Sequence, residues 1–178
     1  MEKKEENLFI WNGQLFIKEG VYTGLNISFK ISFPNNYPNS EPEVSFNDNI
    51  FHPLIDPVSY KLDVKYIFPK WTPGKNCAIQ LLFKIKDIFI NPKYFCITNS
   101  LNEECGKIFC DDYIKFESIV QDDIEKMNQK NNNNEINIDN NDLIKEFKNI
   151  FGKDKGNICS KFEQFENYFL FKRNQDDK

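Results

Sequence analysis

"YPNSEPEVSFNDNIFHPLIDPVSYKLDVKYIFPKWTP", Tyr37–Pro73, is the stretch on which the fold turns. Turn chemistry, "NNYPNSEP" from Asn35, leads into "EVSF", a short strand with Val44 and Phe46 directed inward. Ile50–Leu54 is expected to start a further strand. His52 then stands before Pro53, "DPVS" reads as an Asx-type turn at Asp56, and a strand-like run ends at Trp71. The segment has the shape of an active-site loop, yet it holds no cysteine, no Ser-His pair and no carboxylate dyad.

Upstream, "GLNISFKISFP" alternates Leu25, Ile27, Phe29, Ile31 and Phe33 with polar residues, the period of a half-buried strand. Before it, Asn12-Gly13 between two apolar runs is a hairpin-type turn signal. Together these predict an antiparallel meander. After Trp71 the period changes. "TPGKN" is a breaker, and Ala78, Leu81, Leu82, Ile85, Ile88 and Phe89 recur at helical spacing, with Asn76 as cap and Asn91-Pro92 as stop. A second helix opens at Asn102, with Glu103 and Glu104 in its first turn. Its stripe runs through Cys105, Ile108, Phe109, Tyr113, Phe116, Val120, Ile124 and Met127.

Residues 1–127 therefore read as one folded domain. Residues 128–142, "NQKNNNNEINIDNND", are asparagine-rich and read as a linker, because such a segment buries too little to offset its ordering entropy. Residues 143–178 read as a C-terminal helical extension. Leu143, Ile144, Phe147, Ile150 and Phe151 form one stripe, and Ile158, Phe162, Phe165 and Phe169 another. Apolar stripes of this size are expected to dock, preferentially on the parent domain.

The chain has 178 residues, long enough for a core without staples, and 18 Phe to fill it. A net charge of −4 argues against a nucleic-acid partner. No apolar run reaches membrane-spanning length, and "MEKKEENLF" lacks the apolar centre of a secretory leader. One histidine and five cysteines without a CxxC spacing argue against a zinc site, and no phosphate-cradling glycine loop is present. No metal and no cofactor is expected. The thiols are expected to be reduced and mostly buried, as in the cytosol.

Three features invite chemistry. His52 could act as a general base, but a single histidine among Phe51, Pro53 and Leu54 is more often a satisfied core residue. Asp56 and Asp63 could pair, although a turn explains Asp56 more simply. Cys77, at a helix start where the dipole lowers a thiol pKa, is the best candidate for a reactive cysteine, while its phase beside Ala78 and Leu81 favours a core position.

Tyr37-Pro38, Pro42, His52-Pro53 and Trp71-Thr72-Pro73, followed by a long amphipathic helix, together resemble the ubiquitin-conjugating (E2) core domain over roughly residues 7–127. The resemblance implies an α+β, UBC-like fold: a four-stranded antiparallel meander sheet packed on helices. In that family an asparagine follows His-Pro, and a catalytic cysteine about ten residues beyond the histidine carries ubiquitin as a thioester. Thiolates suit this step because they attack well and leave well. Here Leu54 takes the asparagine position, and Lys61, in "YKLDV" and one residue nearer the histidine than usual, takes that of the cysteine. An amine there would form a dead-end isopeptide, and Leu54 has no polar group to steady a loop or oxyanion.

"WNG..F...G.Y", "FHPL.DP.S..LDVK..F.KW" and "LN.E" before a helix are similar, more narrowly, to the catalytically inactive E2 variants of the Fused Toes or AKT-interacting protein family. This implies a non-catalytic binding module in the cytoplasm. Its partners would be ubiquitin, another E2, or a Hook-type adaptor of dynein-driven vesicle transport. The roughly six polar residues before the first strand are expected to be too few for the family's usual first helix, which engages the activating enzyme. The rival is an active E2 that carries ubiquitin on an off-position cysteine such as Cys77.

Overall fold

The computed structural model describes residues 10–95, 100–131 and 169–172. The strands β1 (Ile10–Phe16), β2 (Asn26–Ser32) and β3 (Glu43–Phe46) are antiparallel neighbours. Their period-two pattern sets the register. Leu15 lies opposite Ile27, Phe29 opposite Phe46 and Ile31 opposite Val44, and all six are buried. Asn12-Gly13 does not turn: it lies inside β1, opposite Lys30 and Phe29. The turn comes later, where Gly20 and Gly24 take φ of 80° and 91°, conformations that cost a side-chain-bearing residue. Ile17 N–H donates to Leu25 O and Gly24 N–H to Ile17 O, closing that turn.

Ile50–Leu54 forms no strand. Ile55 N–H turns back to His52 O, and the chain returns only through single bridges, Ile55 with Leu62 and Lys61 with Ser45. The fourth strand of the sheet arrives from the other end of the chain. Phe169–Lys172, β4, pairs antiparallel with β1, giving the order β3-β2-β1-β4. Phe169, expected on a helical stripe, therefore lies in a strand. Residues 132–168, which carry the asparagine tract and the other stripe positions, fall outside the described residues.

The run expected to be strand-like before Trp71 begins as one helical turn, α1 (Val64–Ile67), because the Asp63 carboxylate accepts from Tyr66 N–H and caps it. The next helix, α2 (Ala78–Ile90), appears where its period placed it. Its N-cap is Cys77, because the Asn76 side chain is already engaged by Thr72 N–H at 2.8 Å. The stripe expected as a single helix from Asn102 is broken at Asp112 into α3 (Glu103–Asp111) and α4 (Tyr113–Asn131). Asn102 caps α3 through Cys105 N–H, and Asp112 accepts from Lys115 N–H in the first turn of α4. Leu81, Leu82, Ile85, Ile88 and Phe89 of α2, with Phe116, Val120 and Ile124 of α4, share one core with the inward face of the sheet. Gln121 and Asn128 pin α4 to the β1–β2 turn through Val21 O and Gly24 O.

Candidate functional site

The segment from Ile50 to Trp71 is fixed from inside. His52 is fully buried. Its Nδ1 accepts from Leu54 N–H at 3.0 Å, so the ring proton sits on Nε2, which donates to Ile88 O at 2.9 Å. The need for that second bond is written in the sequence. A helical carbonyl is normally taken by the N–H four residues on, and four residues after Ile88 stands Pro92, which has none. The imidazole supplies the missing donor and ties the loop to the end of α2. Burial holds the histidine neutral, lowering its pKa from 6.5 to about 4 against the opposing effect of the Ile88 carbonyl. His52 is thus the satisfied core residue its apolar neighbours suggested, and all its polar capacity is used.

Tyr22 clamps the preceding residue. Its buried hydroxyl donates to Phe51 O at 2.6 Å, and its ring packs against His52, Phe89, Phe95 and Phe116. Tyr22→Phe is expected to cost about 1 kcal/mol in urea unfolding, since it removes one part-buried hydrogen bond without opening a cavity. An unchanged midpoint would show that the bond contributes nothing. On the other side Pro53, also buried, offers its carbonyl to Asn102 N–H at the start of α3.

Leu54 is wholly buried, its carbonyl taken by Asp63 N–H. Beyond it the chain makes the turn expected at Asp56, whose Oδ1 accepts from Val58 N–H and from the N–H and hydroxyl of Ser59. These bonds, Ser59's first, hold the Asp56 carboxyl below the usual carboxylate range. Asp56 and Asp63 are therefore separately occupied, one in a turn and one in a cap. Tyr60 closes the turn at φ 59°, a left-handed conformation a tyrosine rarely adopts. Lys61 follows, exposed, with Nζ 2.7 Å from the Glu43 carboxylate on β3.

Tyr37-Pro38 and Trp71 meet in space. The Trp71 indole N–H donates to Pro38 O at 2.8 Å, and the Tyr37 ring lies between Trp71 and Phe33. The Tyr37 hydroxyl accepts from Ala78 N–H, so this cluster also fixes the start of α2. Cys77 is half-buried and free there, its N–H donating to Gln80 Oε1. It is not the core residue its phase favoured, because the buried face of α2 begins one position later, at Ala78. Cys105 is buried, and burial pushes its thiol well up. Cys110 is disulfide-bonded, against the expectation of reduced thiols throughout. Among the described residues no group of His, Cys, Asp or Glu is arranged to hold a metal ion.

The sequence pattern of the ubiquitin-conjugating enzyme family matches residues 1–124. The chain belongs to that family. The E2-like chain is also 37% identical over 120 residues to the AKT-interacting protein of Xenopus tropicalis, covering 67% of this chain and 40% of the relative. It is 35% identical over 120 residues to that of Danio rerio, with the same coverage, so it spans about two-fifths of the length of these relatives. Its fold is similar to the crystal structure of a candidate ubiquitin conjugating enzyme from Plasmodium yoelii. That match has a TM-score of 0.54 and 23% identity, covering 66% of this chain and 74% of the other. The α+β, UBC-like architecture is thereby established. His52, Pro53, Leu54 and Lys61 lie in one loop system, and Cys77 lies at the start of α2 beside the Tyr37–Trp71 cluster. Tyr22, Asn102 and Glu43 were not singled out by sequence as loop-holding residues. For Tyr22 the only signal was its place at the end of "WNG..F...G.Y".

Proposed function

We propose that this E2-like chain is a non-catalytic variant that works as a protein-binding module. The observation that carries this is the pair of side chains at the two positions where conjugation needs a thiol and an amide. One is Lys61, an exposed amine held by Glu43. The other is Leu54, an aliphatic side chain sealed in the core. An amine acylated there would keep its cargo, because amide nitrogen is a poor leaving group where thiolate is a good one. Similarity to the AKT-interacting proteins supports a role in a cytoplasmic adaptor or trafficking complex, with a Hook-type adaptor, another E2 or ubiquitin as partner. No helix among the described residues is long and apolar enough to cross a membrane.

The test is a charging assay with activating enzyme, ATP and ubiquitin, resolved with and without reductant. The expected result is no reductant-sensitive adduct. The rival reading, an active E2 charged off-position, is favoured by Cys77 being free and half-buried at the N-cap of α2. A thioester band that disappears in Cys77→Ser would establish the rival and sink the binding-module reading.

A further inference from the structure

We propose that the exposed elbow between α3 and α4 is the docking site of residues 143–155 of the same chain. This goes beyond the binding-module reading and stands whether or not the chain conjugates ubiquitin. Where the helical run breaks at Asp112, two large apolar side chains are left outside the core. Ile114 is 80% exposed, and Tyr113 is 49% exposed although its ring meets Phe109 and Phe116. Carboxylates flank the pair. Asp111 precedes it, and Glu117 stands one helical turn on, over the same side of α4. Neither forms an ion pair among the described residues. From Glu103 to Asn131 there are eight carboxylates against four lysines, so α3 and α4 carry the whole of the chain's net charge of −4. An exposed apolar spot in such a field fits a segment that is both apolar and basic.

The sequence of residues 143–155, "LIKEFKNIFGKDK", has that chemistry. Leu143, Ile144, Phe147, Ile150 and Phe151 recur at helical spacing, beside four lysines and only two carboxylates. The stretches on either side of it do not match. Residues 132–142 hold three carboxylates and no lysine, and would be repelled. Residues 156–168 hold one lysine against two carboxylates. Tethering favours this segment over a separate protein. α4 ends at Asn131, and Phe169–Lys172 is back on the sheet beside β1, so the chain between is tied to this domain at both ends. The reach is sufficient. From Asn131 back along α4 to Tyr113 is roughly 27 Å at 1.5 Å per residue, and residues 132–142 can extend to about 36 Å. A segment so held meets the elbow at a local concentration that a free partner would have to exceed.

Hydrogen exchange of the full-length chain tests this. Amides of residues 143–155 are expected to exchange at least about tenfold more slowly than in an isolated peptide of the same residues. Ile114→Ser is expected to raise their exchange by about tenfold, with α4 itself still protected, because an exposed side chain is replaced at little cost to the fold. Glu117→Lys and high salt should each raise it by a smaller factor. If Ile114→Ser also lowers protection in α4, the same measurement is made in Lys145→Glu combined with Lys148→Glu, which leaves the domain untouched. Exchange in the wild-type chain as fast as in the peptide would overturn the proposal. So would slow exchange that neither the Ile114 nor the double lysine variant changes, since the segment would then be covered elsewhere. Protection that grows with protein concentration, together with a dimer in sedimentation that Ile114→Ser dissolves, would make a second copy the site's partner and overturn docking within one chain.

Discussion

Replacing His52 by alanine is expected to remove about 3–5 kcal/mol of stability at neutral pH, enough to unfold much of the protein if its total stability is ordinary. The imidazole answers two buried groups at once, Leu54 N–H and Ile88 O. The Ile88 carbonyl is the more exposed to loss, since Pro92 stands where its helical donor would be. The alanine variant also leaves a void among Tyr22, Phe89 and Phe95. Urea unfolding of wild type and variant measures the difference. A variant as stable as wild type would mean that the loop closes without the histidine.

The same residue predicts a pH dependence whose sign follows from its depressed pKa. The folded protein keeps His52 neutral down to about pH 4, whereas an unfolded histidine takes its proton near 6.5. The unfolded state therefore binds the proton first as pH falls. The stabilisation is complete above about 6.5, is lost between there and about 4, and does not change further below. The shift corresponds to roughly 3 kcal/mol, so the gap between wild type and His52→Ala should narrow by about that amount across this window. Because both proteins share every carboxylate, the gap isolates the histidine. A gap that stays constant from pH 7 to pH 4 would contradict a buried neutral imidazole.

Elements with a long period were legible in the sequence, and elements decided by one hydrogen bond were not. The alternation through Phe29 and Ile31 and the stripe through Leu81 and Phe89 repeat often enough that core packing confirms them. Asn12-Gly13 misled because its dipeptide preference is local, whereas β1 is continued by pairing to β2. The break at Asp112 was invisible to the stripe, because Phe109 and Phe116 are seven residues apart and stay in phase across it. In the loop, the structural character of His52 followed from its apolar neighbours, and the turn at Asp56 from its residue types. That Leu54 is core, that Lys61 is paired with Glu43, and that Tyr22 holds Phe51 depend on contacts between distant residues, which no local pattern records. The strand from Phe169 shows the same limit in a different way. Its helical spacing with Phe162 and Phe165 competed with pairing to β1, which the sequence does not display.

Restoring the two family groups is expected to fail, for a different reason at each position. Lys61→Cys should fold normally: the side chain is exposed, and its loss removes only a surface ion pair with Glu43 worth about 0–1 kcal/mol. The new thiol would nevertheless sit in a loop one residue short of the family spacing, beside a position that offers no side-chain donor. Little or no ubiquitin discharge to lysine is expected from it. Leu54→Asn supplies the donor but places it where Leu54 is 0% exposed. Removing a fully buried leucine costs about 2–5 kcal/mol, and an amide without a partner adds about 1–3 more. The variant should therefore lose at least about 3 kcal/mol in denaturant unfolding and aggregate readily. The double variant inherits that cost without gaining discharge activity. The two positions fail independently, one through geometry and one through burial, so the pair separates two histories of the site. Robust discharge by Lys61→Cys alone would show a loop intact apart from its nucleophile. A Leu54→Asn variant as stable as wild type would show that the asparagine position opens to the surface, and the core assignment of Leu54 would fall with it.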